Sequence, residues 1–131
     1  MTAANVWEEA LIRPILATHN PYNAARDFEK AGWTIDFQTP PDSGDPLCGV
    51  SLYGNELLLG TMEEKFVSKE ALPFVGAGVE LHVTVPASGI RAIHQKHAWL
   101  NPTELQQQPW GETAFKVEIQ GYVFMIVAED R

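Results

Sequence analysis

Apolar positions recur along this chain in two matching series. In the first half, the apolar run from Leu11 to Thr18 predicts a strand. Asn20-Pro21 then supplies a helix cap followed by proline at the first helical position. Ala24, Phe28 and Ala31 follow at helical spacing, one apolar stripe that stops at Gly32. Trp33, Ile35 and Phe37 alternate with Thr34, Asp36 and Gln38, the period of a half-buried strand. A loop rich in proline, aspartate and glycine runs from Thr39 to Pro46. Cys48 to Tyr53 and Glu56 to Thr61 then flank Gly54-Asn55, a two-residue hairpin signal.

The second half repeats this order. Val79, Leu81, Val83 and Val85 alternate with Glu80, His82 and Thr84, a strand with one apolar and one polar face. Ser88 can cap a helix whose stripe includes Ile90 and Ile93, and Trp99 and Leu100 then take the place of Trp33. A glutamine-rich strand (Glu104 to Gln108) leads into the turn Pro109-Trp110-Gly111. The last hairpin pairs Thr113 to Ile119 with Tyr122 to Ala128 around Gln120-Gly121. The interval from Trp33 to Trp99 matches that from Gly54 to Gly121 to within one residue. The pattern therefore predicts an α+β fold of one domain, residues 1–131. It holds two βαβββ units, 11–61 and 79–129, joined by a connector over 62–78. A helix covers only one face of each unit's sheet. Two units with their sheets edge to edge would form a cup-shaped mixed sheet with the helices outside, a natural ligand cavity.

Composition then narrows the partners. Hydrophobic residues make up 45% and charged ones 20%, ordinary for a soluble globular protein. No apolar run approaches the roughly 20 residues of a membrane helix. No leader pattern opens the chain, so a cytoplasmic location and no membrane partner are expected. The net charge of −8 argues against nucleic acid as a partner. It would attract cationic ligands, and it equally serves solubility. A single cysteine, Cys48, provides neither a disulfide nor a multi-cysteine metal site, and reads as a small buried apolar group. The glycines fall at turns, with no phosphate-cradling loop among them.

Several segments, in this order and spacing, carry a resemblance. They are Pro14-Ile15-Leu16-Ala17-Thr18, Ala24 to Phe28, Gly32-Trp33, Gly49-Val50, Leu57-Leu58-Leu59, Gln108-Pro109-Trp110-Gly111 and Gly121 to Val127. Together the two units resemble the vicinal-oxygen-chelate superfamily of glyoxalases, extradiol dioxygenases, fosfomycin-resistance enzymes and bleomycin-resistance proteins. Within it they are most similar to the bleomycin-resistance branch. Two departures stand out: Glu118-Ile119-Gln120-Gly121 replaces the usual Asp-Pro-x-Gly, and the loop from Gln38 to Pro46 is longer. The resemblance implies a homodimer that exchanges its N-terminal strand around a hinge near Pro14. It implies two clefts shared between subunits, each binding a small-molecule antibiotic, a planar DNA-damaging natural product, without turnover. The implied ligand-binding residues are Asp36, Phe37, Leu47, Leu58, Gly60, His82, Trp110 and Met125.

The enzymes of that superfamily hold a divalent metal, with ligands from the first strand of each unit and a carboxylate on the last. Here the first strand, Leu11 to Ala17, offers only Arg13, and the last strands present Leu58 and Met125. Glu80 and His82 alone remain as donors, and two neighbouring ligands do not make a site. The expectation is no metal, no cofactor and no catalytic residue. The alternatives are a metal-dependent glyoxalase, dioxygenase or thiol-transferase-type enzyme, and a scaffold or sensor with a vestigial cup. Glu80 and His82 should line the cup, touching ligand or satisfied by a neighbour. His19 precedes a helix cap, and His94 and His97 lie on a helix too far from the cup. Trp33 and Trp99 read as core. Trp110, in a proline-glycine turn, should point outward. Phe37 is either a ligand contact or core, since it shares the phase of Trp33 and Ile35.

Overall fold

The computed structural model describes residues 12–63 and 67–130. Leu11 at the start of the expected first strand and Glu64 in the connector lie outside them. The first unit runs β1 (Ile15–Thr18), α1 (Pro21–Lys30), β2 (Thr34–Gln38), β3 (Cys48–Leu52) and β4 (Asn55–Thr61). The second runs β5 (Glu80–Pro86), α2 (Ile90–Lys96), β6 (Gln106–Gln107), β7 (Thr113–Ile119) and β8 (Tyr122–Glu129). The sheets have the same order, β1-β4-β3-β2 and β5-β8-β7-β6, with the first and last strand of each unit parallel. The α+β class and the two βαβββ units are thus as the sequence predicts. The chain carries them as two sheets of four strands, not one continuous mixed sheet. Among the described residues, no helix is long and apolar enough to cross a membrane.

Local chemistry explains the boundaries. The Asn20 side chain accepts from the Tyr22 and Asn23 amides at 2.9 and 3.2 Å, so α1 starts on a satisfied cap. Both hairpins turn on two residues of positive φ, Tyr53-Gly54 (48° and 83°) and Gln120-Gly121 (55° and 83°), the geometry that matches strand twist. The first turn therefore sits one residue earlier than the sequence suggests, closed by the Leu52–Asn55 pair. Asn55 is freed from the turn to bond the carbonyls of Leu52 and Thr84, both at 2.9 Å, and so ties β4 to the second unit.

The second unit departs further from expectation. Helix α2 has Gly89 at its N-cap and makes no side-chain cap bond, so Ser88 does not cap it. The glutamine-rich strand shrinks to Gln106–Gln107. Val79 precedes β5 and is 48% exposed. Trp99 lies in a short helical turn, 38% exposed, with the Lys30 ammonium 4.2 Å from its ring centroid. It is a surface residue, not the core counterpart of Trp33.

One apolar core joins the two units through their helix-covered faces. It takes in Leu16, Val50, Leu57 and Leu59 from the first sheet and Val83, Val85, Phe115, Phe124 and Ile126 from the second. Trp33 is its keystone: its ring meets Phe28 edge-on at 5.1 Å and Phe124 at 5.7 Å. The Trp33 indole N–H donates to His97 Nε2 at 3.1 Å, and His97 Nδ1 lies 2.7 Å from the Ile93 carbonyl. These partners fix the neutral tautomer with its proton on Nδ1. His97, which the sequence places on a helix away from the cup, is fully buried at the seam between the units.

Burial holds the His97 imidazole below its ordinary pKa, and neighbouring His94 pushes the same way against the opposing Ile93 bond. The unfolded chain therefore binds a proton at a pH where the folded one does not. Stability from this group is complete above about pH 6.5 and falls as the pH drops below it. Urea unfolding should show a lower midpoint at pH 5 than at pH 7.5, with the difference removed in His97→Gln. Equal pH dependence in both proteins would contradict the assignment.

Candidate functional site

Strand register decides which residues share the face opposite the helices, because directly paired residues point the same way. In the first sheet, Ile15 pairs with Leu58, and Ala17 with Gly60; Leu58 also pairs with Gly49, and Glu56 with Ser51. These alternate with buried Leu16, Leu57, Leu59 and Val50, so they form the open face. Ile15 is 65% exposed there.

Phe37 belongs to this open face, and the reason is an irregularity in β2. Ile35 pairs with Val50, but the next pair is Phe37 with Gly49, so Asp36 is an extra residue in the strand. This bulge shifts the alternation by one. Trp33 and Ile35 stay with the core, while Phe37 turns to the other side and is 43% exposed. The core reading of Phe37 is therefore wrong. Asp36 accepts a hydrogen bond from the Ser51 hydroxyl at 3.0 Å, which anchors the bulge on the open face. Leu47 ends the preceding loop, tied back by Thr39 N–H to its carbonyl and by its own N–H to Thr39 Oγ1, both at 3.0 Å. Tyr22 of α1 holds the same loop through Thr39 and Pro40.

In the second sheet, His82 pairs with Met125, and Met125 with Lys116 across the next ladder. Glu80 meets the Lys116 ammonium at 3.0 Å on this face, so its charge is satisfied by a neighbour. His82 is exposed beside it. Met125 packs with Ala114 and Val127 into a small apolar cluster separate from the main core. Trp110 stands 57% exposed in a turn closed by the Gly111 N–H to Gln108 carbonyl bond at 2.8 Å. Gly111 adopts φ 102°, which lets the chain reverse directly after the indole.

The eight expected ligand residues thus fall into two sets, one on each unit. Asp36, Phe37, Leu47, Leu58 and Gly60 belong to the first unit; His82, Trp110 and Met125 belong to the second. Leu47 and Gly60 line a cavity of about 520 Å³ together with Ile15, Ala17, Val75 and Tyr122. His82 lines another of about 270 Å³ with Arg13 and Glu56. Gly49 and Ser51 also lie on the first open face, and the sequence reading gave neither of them a ligand role. A glycine inside a strand, away from any turn, signals close approach of another group.

The residues present do not fit a divalent cation. Arg13 is ion-paired with Glu56, Leu58 and Met125 are apolar or soft donors on the last strands, and Glu80 is held by Lys116. Among the described residues, no group of three or more His, Cys, Asp or Glu side chains could hold a metal. Cys48 is buried, and burial pushes its thiol pKa up, away from nucleophilic use.

No protein-family model and no curated protein matches the sequence. Solved structures do match the fold. A bleomycin-binding protein in complex with bleomycin superposes with a TM-score of 0.65 at 12% identity, covering 92% of this chain and 99% of that one. A member of the glyoxalase/bleomycin resistance protein/dioxygenase superfamily from Sphaerobacter thermophilus gives 0.63 at 16%, covering 93% and 99%. The fosfomycin resistance protein FosX of Listeria monocytogenes, a mutant solved with Mn(II) and dihydroxypropylphosphonic acid, gives 0.65 at 6%, covering 92% of each chain. The chain has the fold of this superfamily.

Proposed function

We propose that the chain is a non-catalytic binding protein of the bleomycin-resistance type, capturing a planar, DNA-damaging antibiotic in an aromatic-lined cleft between two copies. The observation that carries this reading is that aromatic rings stand exposed outside the core, in a chain whose two open faces are otherwise mixed in polarity. Phe37 is turned out of the core onto one of them, and Trp110 projects from a rigid turn at the end of the other unit. Flat rings gain from stacking on such side chains as well as from leaving water. Three of the positions where superfamily enzymes place metal ligands carry Arg13, Leu58 and Met125, and at the remaining one Glu80 is paired with Lys116 beside His82. That favours capture over turnover, and protection then scales with protein concentration and affinity.

A second copy completes the cleft in this reading. Both helix-side faces are consumed by the shared core, which leaves each open face with a single sheet. Exchange of the segment before Pro14 would join the copies. The Pro14 carbonyl accepts from Leu58 N–H at 2.9 Å, so the chain is anchored to β4 directly after the proposed hinge.

Tryptophan fluorescence titration against a panel of planar antibiotics, bleomycin among them, tests the proposal in buffer containing EDTA. The expected result is saturable quenching that EDTA does not alter, with the drug recovered chemically unchanged. Binding that needs added manganese or zinc, or a modified drug, would support the metal-dependent enzyme instead.

A further inference from the structure

We infer that Gly49 is the positioning residue for Phe37: its missing side chain seats the ring low on the open sheet and so sets which flat ligands the cleft accepts. This rests on the binding reading above. Gly49 lies inside β3, buried, with Phe37 across one ladder and Leu58 across the other. Glycine in a strand interior is unfavourable, because it adds chain entropy and packs no side chain. Backbone conformation does not call for it, since the positive-φ glycines are 32, 54, 76, 78, 111 and 121. Space does. A Cβ at position 49 would stand 2.4 Å from Phe37 Cε1, 2.7 Å from Cδ1 and 3.2 Å from Cζ.

Something must therefore move if position 49 gains a methyl group, and the parts differ in stiffness. Two hydrogen-bonded ladders hold the β3 backbone, and the Asp36–Ser51 bond holds the bulge. The Phe37 ring, half-exposed at the end of two rotatable bonds, is the part that yields. A displaced ring would rise from the sheet into the space a flat ligand occupies. The bulge turns Phe37 to the open face, and Gly49 fixes its height there.

The test has a ligand-free arm and a binding arm. By NMR, the wild-type protein should show contacts between the Phe37 ring protons and the Gly49 Hα pair. Gly49→Ala should keep its Tm and sheet signals but lose the ring's close approach to this strand. Absence of those contacts in the wild type overturns the inference whatever the protein binds. In the binding arm, calorimetric titration with bleomycin as probe should show affinity falling about tenfold or more in both Gly49→Ala and Phe37→Leu, the scale of one lost anchor. The double variant should be no weaker than Phe37→Leu alone, since both act through one ring. Wild-type affinity in Gly49→Ala beside a weakened Phe37→Leu overturns the role of Gly49 and leaves the binding function standing. Failure of the wild type to bind, with the ring contacts present, overturns the binding reading and the selectivity role together.

Discussion

Trp33→Ala is expected to destabilise the protein by about 3–5 kcal/mol, the usual cost of removing a large aromatic from a packed core. The side chain is 2% exposed and bridges the two units through its ring contacts with Phe28 and Phe124. Truncation also strips His97 Nε2 of its donor, and an orphaned buried acceptor adds about 1–3 kcal/mol if the site stays dry. The loss should appear in chemical unfolding as a much lower midpoint. Any drug binding that survives in folded protein should keep its wild-type affinity. A variant as stable as wild type would contradict the placement of Trp33 at the seam.

Trp110→Ala should behave in the opposite way. The indole is 57% exposed in a turn that owes its shape to Pro109, Gly111 and the Gln108 bonds, not to the ring. Surface substitutions of this kind change stability by no more than about 0.5 kcal/mol. If the ring stacks on ligand, its loss should weaken binding by about 2 kcal/mol, the threshold of an interface hot spot. That corresponds to roughly thirtyfold in Kd, since 1.4 kcal/mol is about tenfold. Cells carrying the variant should lose most of their drug tolerance at unchanged levels of soluble protein. Unchanged affinity in a folded Trp110→Ala protein would remove this residue from the site.

The fold was legible because both units announce themselves with the same devices: a helix with one apolar stripe, alternating strands and a hairpin on a glycine. Trp110 was legible too, since a bulky ring between proline and glycine has no local core to enter. The orientation of Phe37 was not. Alternation assigns faces only while the register is unbroken, and the extra residue at Asp36 leaves no compositional mark. Symmetry misled at Trp99. Helix α2 is shorter than α1 and ends at His97, which takes the buried place because both its nitrogens find partners there. Such satisfaction is a property of the packed structure, and histidine spacing alone does not reveal it. Asn55, placed in the turn by its sequence next to Gly54, serves instead to bond across the units.

Native mass spectrometry of the purified protein incubated with the drug that binds in the titration tests the central claim most directly. Capture in a cleft shared by two copies predicts a species of two chains, each of 14.5 kDa, carrying two drug molecules of unaltered mass and no metal. A single chain holding drug by itself, or a released drug of changed mass, would contradict it.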